Sequence, residues 1–299
     1  MQVFYQVLIL LLFMLCGLVA VKKNLMDLQG IRGLNALVLY FSQPCLILSG
    51  MQTDAEPELV RALMLVFVSA IVLMTLCGLA AYFFFFCKQP ADRRAVLTNL
   101  STVSNCGFMG YPVIVAALGQ DALIYAVLFV AAFQFVLWML CPLFFGGLQG
   151  LNVKKLLLNP SLIAVFLGMV LFLTGWRLPE FLGDGVTMMG NTTTPVAMFV
   201  IGARLCDLRL RHITDLGLLL ACLLRLIVFP LCALFLLRLL SLPEMAVSSV
   251  YLCLAMPSAA LTAIQAEQYH SEAELASRGV ALSTALSMAT IPLMLLFIV

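Results

Sequence analysis

The chain has 299 residues, of which 64% are hydrophobic and only 10% charged, with a formal net charge of +2. A soluble domain carries roughly a quarter charged residues, so this chain lacks the polar surface to face water all round. Its mean hydropathy of +1.14 points to an all-α integral membrane protein, and nothing in the charge balance suggests a nucleic-acid partner.

Ten apolar spans follow one another along the chain. They run over 3–21, 33–51, 60–86, 95–118, 122–145, 158–176, 184–203, 214–238, 244–266 and 275–298. Each is long enough to cross a hydrocarbon core of ~30 Å. Residues 3–21 read as the first span rather than a cleaved signal, because nothing basic precedes them and Lys22-Lys23 follows directly. The connections are short, and none is large enough for a soluble domain. The ten cysteines contain no C-x-x-C pair and read as small apolar filler. The two histidines, His212 and His270, have no partner at metal-ligand spacing. No metal or other cofactor is expected.

Lys and Arg set the orientation. Twelve of them fall in the odd-numbered connections: Lys22, Lys23, Arg32; Lys88, Arg93, Arg94; Lys154, Lys155; Arg204, Arg209, Arg211; and Arg278. The even-numbered connections hold only Arg61, Arg177 and Arg238. The odd connections are therefore expected on the cytoplasmic side, with both termini on the outer, periplasmic side of the cell's inner membrane.

Helix breakers recur in register. The second span carries Gly33, Pro44 and Gly50, and the seventh carries Gly185, Pro195 and Gly202. The fourth is broken by Gly107, Gly110 and Pro112, and the ninth by Pro257. Five spans per half is an odd number, so the second half enters from the opposite side. The expectation is a 5+5 inverted repeat, residues 1–150 and 151–299, with broken crossover helices 4 and 9. Matched breaks of this kind mark a transporter's substrate site.

In that arrangement the fourth span unwinds around Gly107 to Gly110 and restarts at Pro112, and the ninth restarts at Pro257 with Ser258 beside it. Proline suits the first turn of a helix, where its missing N–H costs nothing. Two helix beginnings at mid-membrane offer free N–H groups and positive dipole ends to an anion. Asn105 can donate its amide to a carboxylate while also capping the first half-helix. Arg225, about eleven residues into the eighth span, lies ~16 Å deep at 1.5 Å per residue. Two readings of it stay open: a fixed cation for the guest, or a side chain turned to the surface or to backbone carbonyls freed near Pro230. Gln134, Thr194 and Gln265 are candidates to line the pathway, or to bridge helices and kinks instead. His270 titrates in the range needed for proton coupling, or sits in a solvated loop.

The segment Asn105-Cys106-Gly107-Phe108-Met109-Gly110-Tyr111-Pro112 resembles the N-x-G-F-x-G-x-P motif of the auxin efflux carrier family. Asn159-Pro160-Ser161, Thr194 to Ala203, Met256 to Ala259, Ala276 to Val280 and Ile291-Pro292 resemble its later spans, in the family's order. The resemblance implies a scaffold from spans 1, 2, 6 and 7, a mobile transport domain from spans 3–5 and 8–10, and a homodimer through spans 2 and 7. Plant PIN members carry a long central loop. This chain has only about Gly146 to Leu157 there, as in bacterial relatives linked with malonate, malate and similar carboxylates. The bile acid:sodium symporters share the architecture, so sodium- or proton-coupled uptake is the alternative to efflux. An intramembrane enzyme is a rival from another class, but no mid-span aspartate pair or Ser-His set supports it. No G-x-x-x-x-G-K-[ST] loop is present for ATP hydrolysis.

Overall fold

The computed structural model describes residues 2–146, 157–204 and 215–298. The expected repeat boundary at 150/151, together with Lys154, Lys155, Cys206, Arg209, Arg211 and His212, lies outside the described residues. Among the described residues the protein is built of helices, and its only strand-like pairing is one isolated bridge. The helices are α1 (Gln2–Lys22), α2 (Leu28–Leu37), α3 (Gln43–Gly50), α4 (Pro57–Ala80), α5 (Ala91–Thr102), α6 (Tyr111–Leu118), α7 (Leu123–Phe135) and α8 (Cys141–Phe144). Then come α9 (Pro160–Thr174), α10 (Glu180–Asn191), α11 (Thr193–Arg204), α12 (Leu216–Leu223), α13 (Phe229–Leu237), α14 (Glu244–Ala255), α15 (Leu261–Gln268) and α16 (Ala273–Leu295).

Several helices join end to end through a widened π turn, and proline explains where. The π turns Val38–Ser42, Cys106–Gly110, Val136–Leu140 and Leu224–Val228 each precede Pro44, Pro112, Pro142 or Pro230. Each proline lies so that the residue four before it, Tyr40, Phe108, Trp138 or Leu226, falls inside the turn. A proline ring clashes with that residue's carbonyl and offers no N–H to it, so the helix widens locally instead of stopping.

Among the described residues, five continuous helical runs are long and apolar enough to cross a membrane: Gln29–Gly50, Pro57–Phe85, Gln120–Phe144, Leu216–Leu237 and Ala273–Leu295. Shorter apolar helices cover Leu8–Lys22, Cys106–Leu118, Pro160–Thr174 and Glu244–Ala255. Many large apolar side chains point outward, including Leu12, Met64, Phe84, Phe166, Phe181 and Phe235. In water such a surface would aggregate; in lipid it is the solvent-facing side.

The most extensive packing joins α1 to α11. A Cβ at Gly17 would lie 1.9 Å from the Phe199 carbonyl oxygen, and one at Gly202 would lie 1.8 Å from that of Met14. Only glycine allows these two backbones so close, which is the small-residue packing that membrane helices use. Helix α3 packs on α9 and α10, α4 on α7, α13 on α14, and α5 on both α12 and α16. Ser42 and Thr192 share a hydrogen bond of 2.8 Å where the second and seventh expected spans meet.

Candidate functional site

Helix α5 ends at Thr102, and Val103 is extended (φ −81°, ψ 104°). Helix α14 ends at Ala255, and Met256 is extended (φ −68°, ψ 151°). The two short extended segments cross antiparallel, bridging Ser104 to Ser258. The Asn105 N–H donates to the Pro257 carbonyl at 2.8 Å, and the Ala259 N–H donates to the Val103 carbonyl at 3.0 Å.

These positions correct two details of the sequence reading. The first break lies at Val103 to Asn105, ahead of Gly107, because Gly107 to Gly110 belongs to the π turn that Pro112 imposes. The second helix restarts at Leu261, not at Pro257, because Pro257, Ser258 and Ala259 are needed for the antiparallel bridge.

A helix end leaves its last carbonyls without intrahelical partners, and here two such ends are buried together. Reciprocal serines answer part of the need. The Ser104 hydroxyl donates to the Cys253 carbonyl, and the Ser258 hydroxyl donates to the Leu100 carbonyl, both at 2.6 Å. Arg225 answers most of the rest. Its Nε donates to Met256 O at 2.9 Å, its Nη1 to Ser101 O at 3.3 Å and Thr102 O at 2.9 Å, and its Nη2 to Leu254 O. The side chain is 1% exposed. One guanidinium thus sits between the negative dipole ends of α5 and α14 and neutralises both. The carbonyl-bonding alternative for Arg225 describes its position in this structure, with the carbonyls coming from the crossing itself and not from the Pro230 region.

The opposite ends differ. The turn Cys106–Gly110 with α6, and α15, begin at the crossing. Among the described residues the N–H groups of Cys106, Gly107, Phe108 and Leu261 have no backbone acceptor, while those of Met109, Thr262 and Ala263 donate to the Asn105, Ala259 and Ala260 carbonyls. The Asn105 side chain is half-buried and makes no hydrogen bond among the described residues. A Cβ at Gly107 would lie 3.0 Å from Nε2 of Gln43, a residue only 4% exposed at the start of α3. Glycine at this position therefore lets the α3 amide approach the crossing. Gln43 was missed in the sequence reading; the only signal was an amide next to Pro44 in an otherwise apolar span.

The structure brings Asn105, Gly107, Gly110, Pro112, Pro257, Ser258 and Arg225 into one region. Of the other candidates, Gln134, Gln265 and His270 bond or lie elsewhere, and Thr194 lies on α11, which packs against the turn Cys106–Gly110. Gln134 accepts from Trp138 Nε1 at 3.2 Å within its own helical run. Thr194 lies in the first turn of α11. Gln265 is buried in α15 and donates to Leu137 O at 2.9 Å. His270 is exposed with φ +52°, beyond the C-terminus of α15 and ~12 Å of helix from the crossing. Among the described residues no cluster of His, Cys, Asp or Glu has the makings of a metal site.

Where α5, α12 and α16 begin, Asp215 caps the helix that starts at Leu216 and takes an ion pair from Arg93 at 2.5 Å. Arg93 also approaches Glu272 at 3.5 Å, and Ser271 donates to Asp92 O at 3.0 Å. Partial burial of the Asp215 carboxyl pushes its pKa up. The Arg93 hydrogen bond and charge, with the Leu218 and Gly217 N–H groups, pull it down further, and the net value lies below the ordinary one.

Apolar helices, buried broken ends and an outward apolar surface define a multi-pass helical membrane protein. The family model described as membrane transport protein matches residues 2–152 and 144–295. The chain belongs to that family, the auxin efflux carrier family indicated by the motif at Asn105 to Pro112. A protein of Methanothermobacter thermautotrophicus described as an uncharacterized transporter is 28% identical over 301 residues, covering 96% of this chain and 95% of its own. Another so described, from Methanocaldococcus jannaschii, is 25% identical, with 96% of each chain covered.

Proposed function

We propose that the protein is a secondary carrier of small organic anions, carboxylates of the malonate, malate or auxin-like kind, working by alternating access at the crossing of its two broken helices. The carrying observation is the asymmetry of that crossing. Its carbonyl ends are tied by Ser104, Ser258 and Arg225, while the N–H groups of Cys106, Gly107, Phe108 and Leu261 and the Asn105 amide are left for a guest. Helix beginnings bind anions without a buried cation, and Gln43 brings a second amide from α3. Membership of a membrane transport family supports the class.

In this reading ten spans form the 5+5 inverted repeat. Spans 1, 2, 6 and 7 are the scaffold, in keeping with the packing of α1 on α11 and of α3 on α9 and α10. Spans 3–5 and 8–10 move past it. Both termini face the periplasm, and copies pair through spans 2 and 7 in the inner membrane. An inside-negative potential favours anion export by about 2.3 kcal/mol per charge per 100 mV, so efflux needs no coupling ion.

The test is counterflow in proteoliposomes with a panel of mono- and dicarboxylates. At least one should exchange in the wild type and fail to exchange in Asn105→Ala. If no organic anion exchanges, the assignment falls even though the fold stands.

A further inference from the structure

A second set of buried polar groups lies off the crossing, between α5 and α15. Both amide atoms of Asn99, the Thr262 hydroxyl and Oε1 of Gln265 are buried without a hydrogen-bond partner among the described residues. Asn99 and Thr262 are 0% exposed and Gln265 is 2% exposed. Polar atoms in a dry interior are ordinarily satisfied, so three such residues on facing helices call for a ligand.

Two hydrogen bonds fix the register. Ser258, before α15, bonds to Leu100 O, and Ser271, after α15, bonds to Asp92 O. Helix α15 therefore runs antiparallel along α5, with Thr262 level with the Thr98–Asn99 turn. Neighbouring side chains fix the face. Leu100 points at Gly279 of α16, Leu97 at Gly217 of α12 and Thr102 at Gly78 of α4. At about 100° per residue, Asn99 falls between the sectors of α4 and α16, and α15, which packs on both α5 and α16, lies on that side. Gln265, one turn after Thr262, donates Nε2 to Leu137 O, which leaves Oε1 as the free end of its amide.

We propose that Asn99, Thr262 and Gln265 form a binding site for a monovalent alkali cation, sodium in the first instance. The free groups are rich in oxygen: six acceptor lone pairs stand against about three donated hydrogens, which suits a cation better than an anion. All three oxygens are neutral. A divalent ion of the calcium or magnesium class takes carboxylates, so this set selects low charge. The charge of Arg225 is nearby but is already matched by four carbonyl dipoles. That charge and the α15 dipole oppose a cation, which keeps binding weak and exchangeable. A cation here ties α5 to α15 about one turn from the crossing, so its occupancy sets how the anion site is held. The cation site stands on its own geometry; its coupling to anion movement rests on the carrier reading.

The experiment is saturation binding of radioactive sodium to purified full-length protein in detergent, with unlabelled sodium and choline as competitors, followed by counterflow with and without sodium. Saturable binding is expected in the wild type, displaced by sodium and not by choline. It should be at least tenfold weaker in Asn99→Ala and in Thr262→Val, and unchanged in Thr174→Val on the exposed face of α9. Thr262→Val keeps the side-chain shape and carries the decision if Asn99→Ala is not monodisperse. No saturable binding in the wild type, or wild-type binding in Thr262→Val, overturns the proposal and leaves water as the occupant. Sodium binding lost in the variants, with no organic anion exchanged, keeps the cation site and removes the carrier reading.

Discussion

Asn105 and Pro257, from opposite halves of the chain, are joined by a backbone hydrogen bond of 2.8 Å at the point where two helices break. This bond and its partner, Ala259 to Val103, make the two breaks one object. Neither break is a lapse in helix propensity. Each supplies the extended backbone that the other needs, which is how irregular backbone survives away from water.

The Asn105 side chain makes no bond that holds this object together, so its removal should separate function from folding. Asn105→Ala is expected to keep wild-type yield and melting temperature while lowering anion exchange at least tenfold. Asn105→Asp should do the same to exchange through repulsion of the guest, and it should lose less at low pH, where the new carboxyl is protonated. Exchange assays alongside thermal melts of each variant check this.

Arg225 predicts the opposite pattern. Replacement by Met leaves four buried carbonyls without their donor, at about 1–3 kcal/mol for each that finds no substitute. Arg225→Met is expected to lose at least ~3 kcal/mol of stability, and Arg225→Lys less, since a single ammonium cannot fork across two helix ends. Exchange and stability should fall together in both. A normal melt with a raised KM would instead make Arg225 a guest-binding cation.

Much of the fold was legible because bilayer-spanning runs are an unusually plain signal: residues 60–86, 122–145 and 275–298 coincide within a few residues with continuous helical runs. The matched breakers also led to the right neighbourhood. What failed was resolution to the residue. Pro112 and Pro257 look alike in sequence, yet one closes a π turn inside a continuing helix and the other lies in an extended bridge. Local propensity cannot choose between these, because the pairing partner sits in the other half of the chain. For the same reason Ser104, Asn99 and Thr262 passed unnoticed: each is an ordinary polar residue until the facing helix is known. Arg225 stood out by its cost, but its partners are backbone carbonyls, which every residue has.

The close approaches at Gly17 and at Gly202 offer a test of the packing of α1 on α11. In each case the atoms in the way are backbone of the facing helix, which no rotamer change can clear. Gly17→Ala or Gly202→Ala should cost about 1–3 kcal/mol, with the double variant gaining little further once the helices have moved apart. Gly33→Ala, where nothing lies within 4 Å of the new atom, should be neutral or slightly stabilising as a helix position freed of glycine. Melting of the four proteins in one detergent decides this.

The ion pair of Asp215 with Arg93 predicts an acid-side loss of stability. The Asp215 pKa is lowered in the folded protein, so its contribution is fully present above the ordinary aspartate value near 4. It is lost as pH falls below that value and through the folded one. The pair is about a quarter exposed, so solvent screening holds the effect below ~1 kcal/mol. Asp215→Asn should therefore melt slightly lower than the wild type at pH 7, and the two curves should converge toward pH 3. Adding salt at pH 7 should narrow the same gap. Equal melting of the two proteins from pH 7 to pH 3 would instead mean that Asp215 acts only as a helix cap, through an oxygen that asparagine supplies equally well.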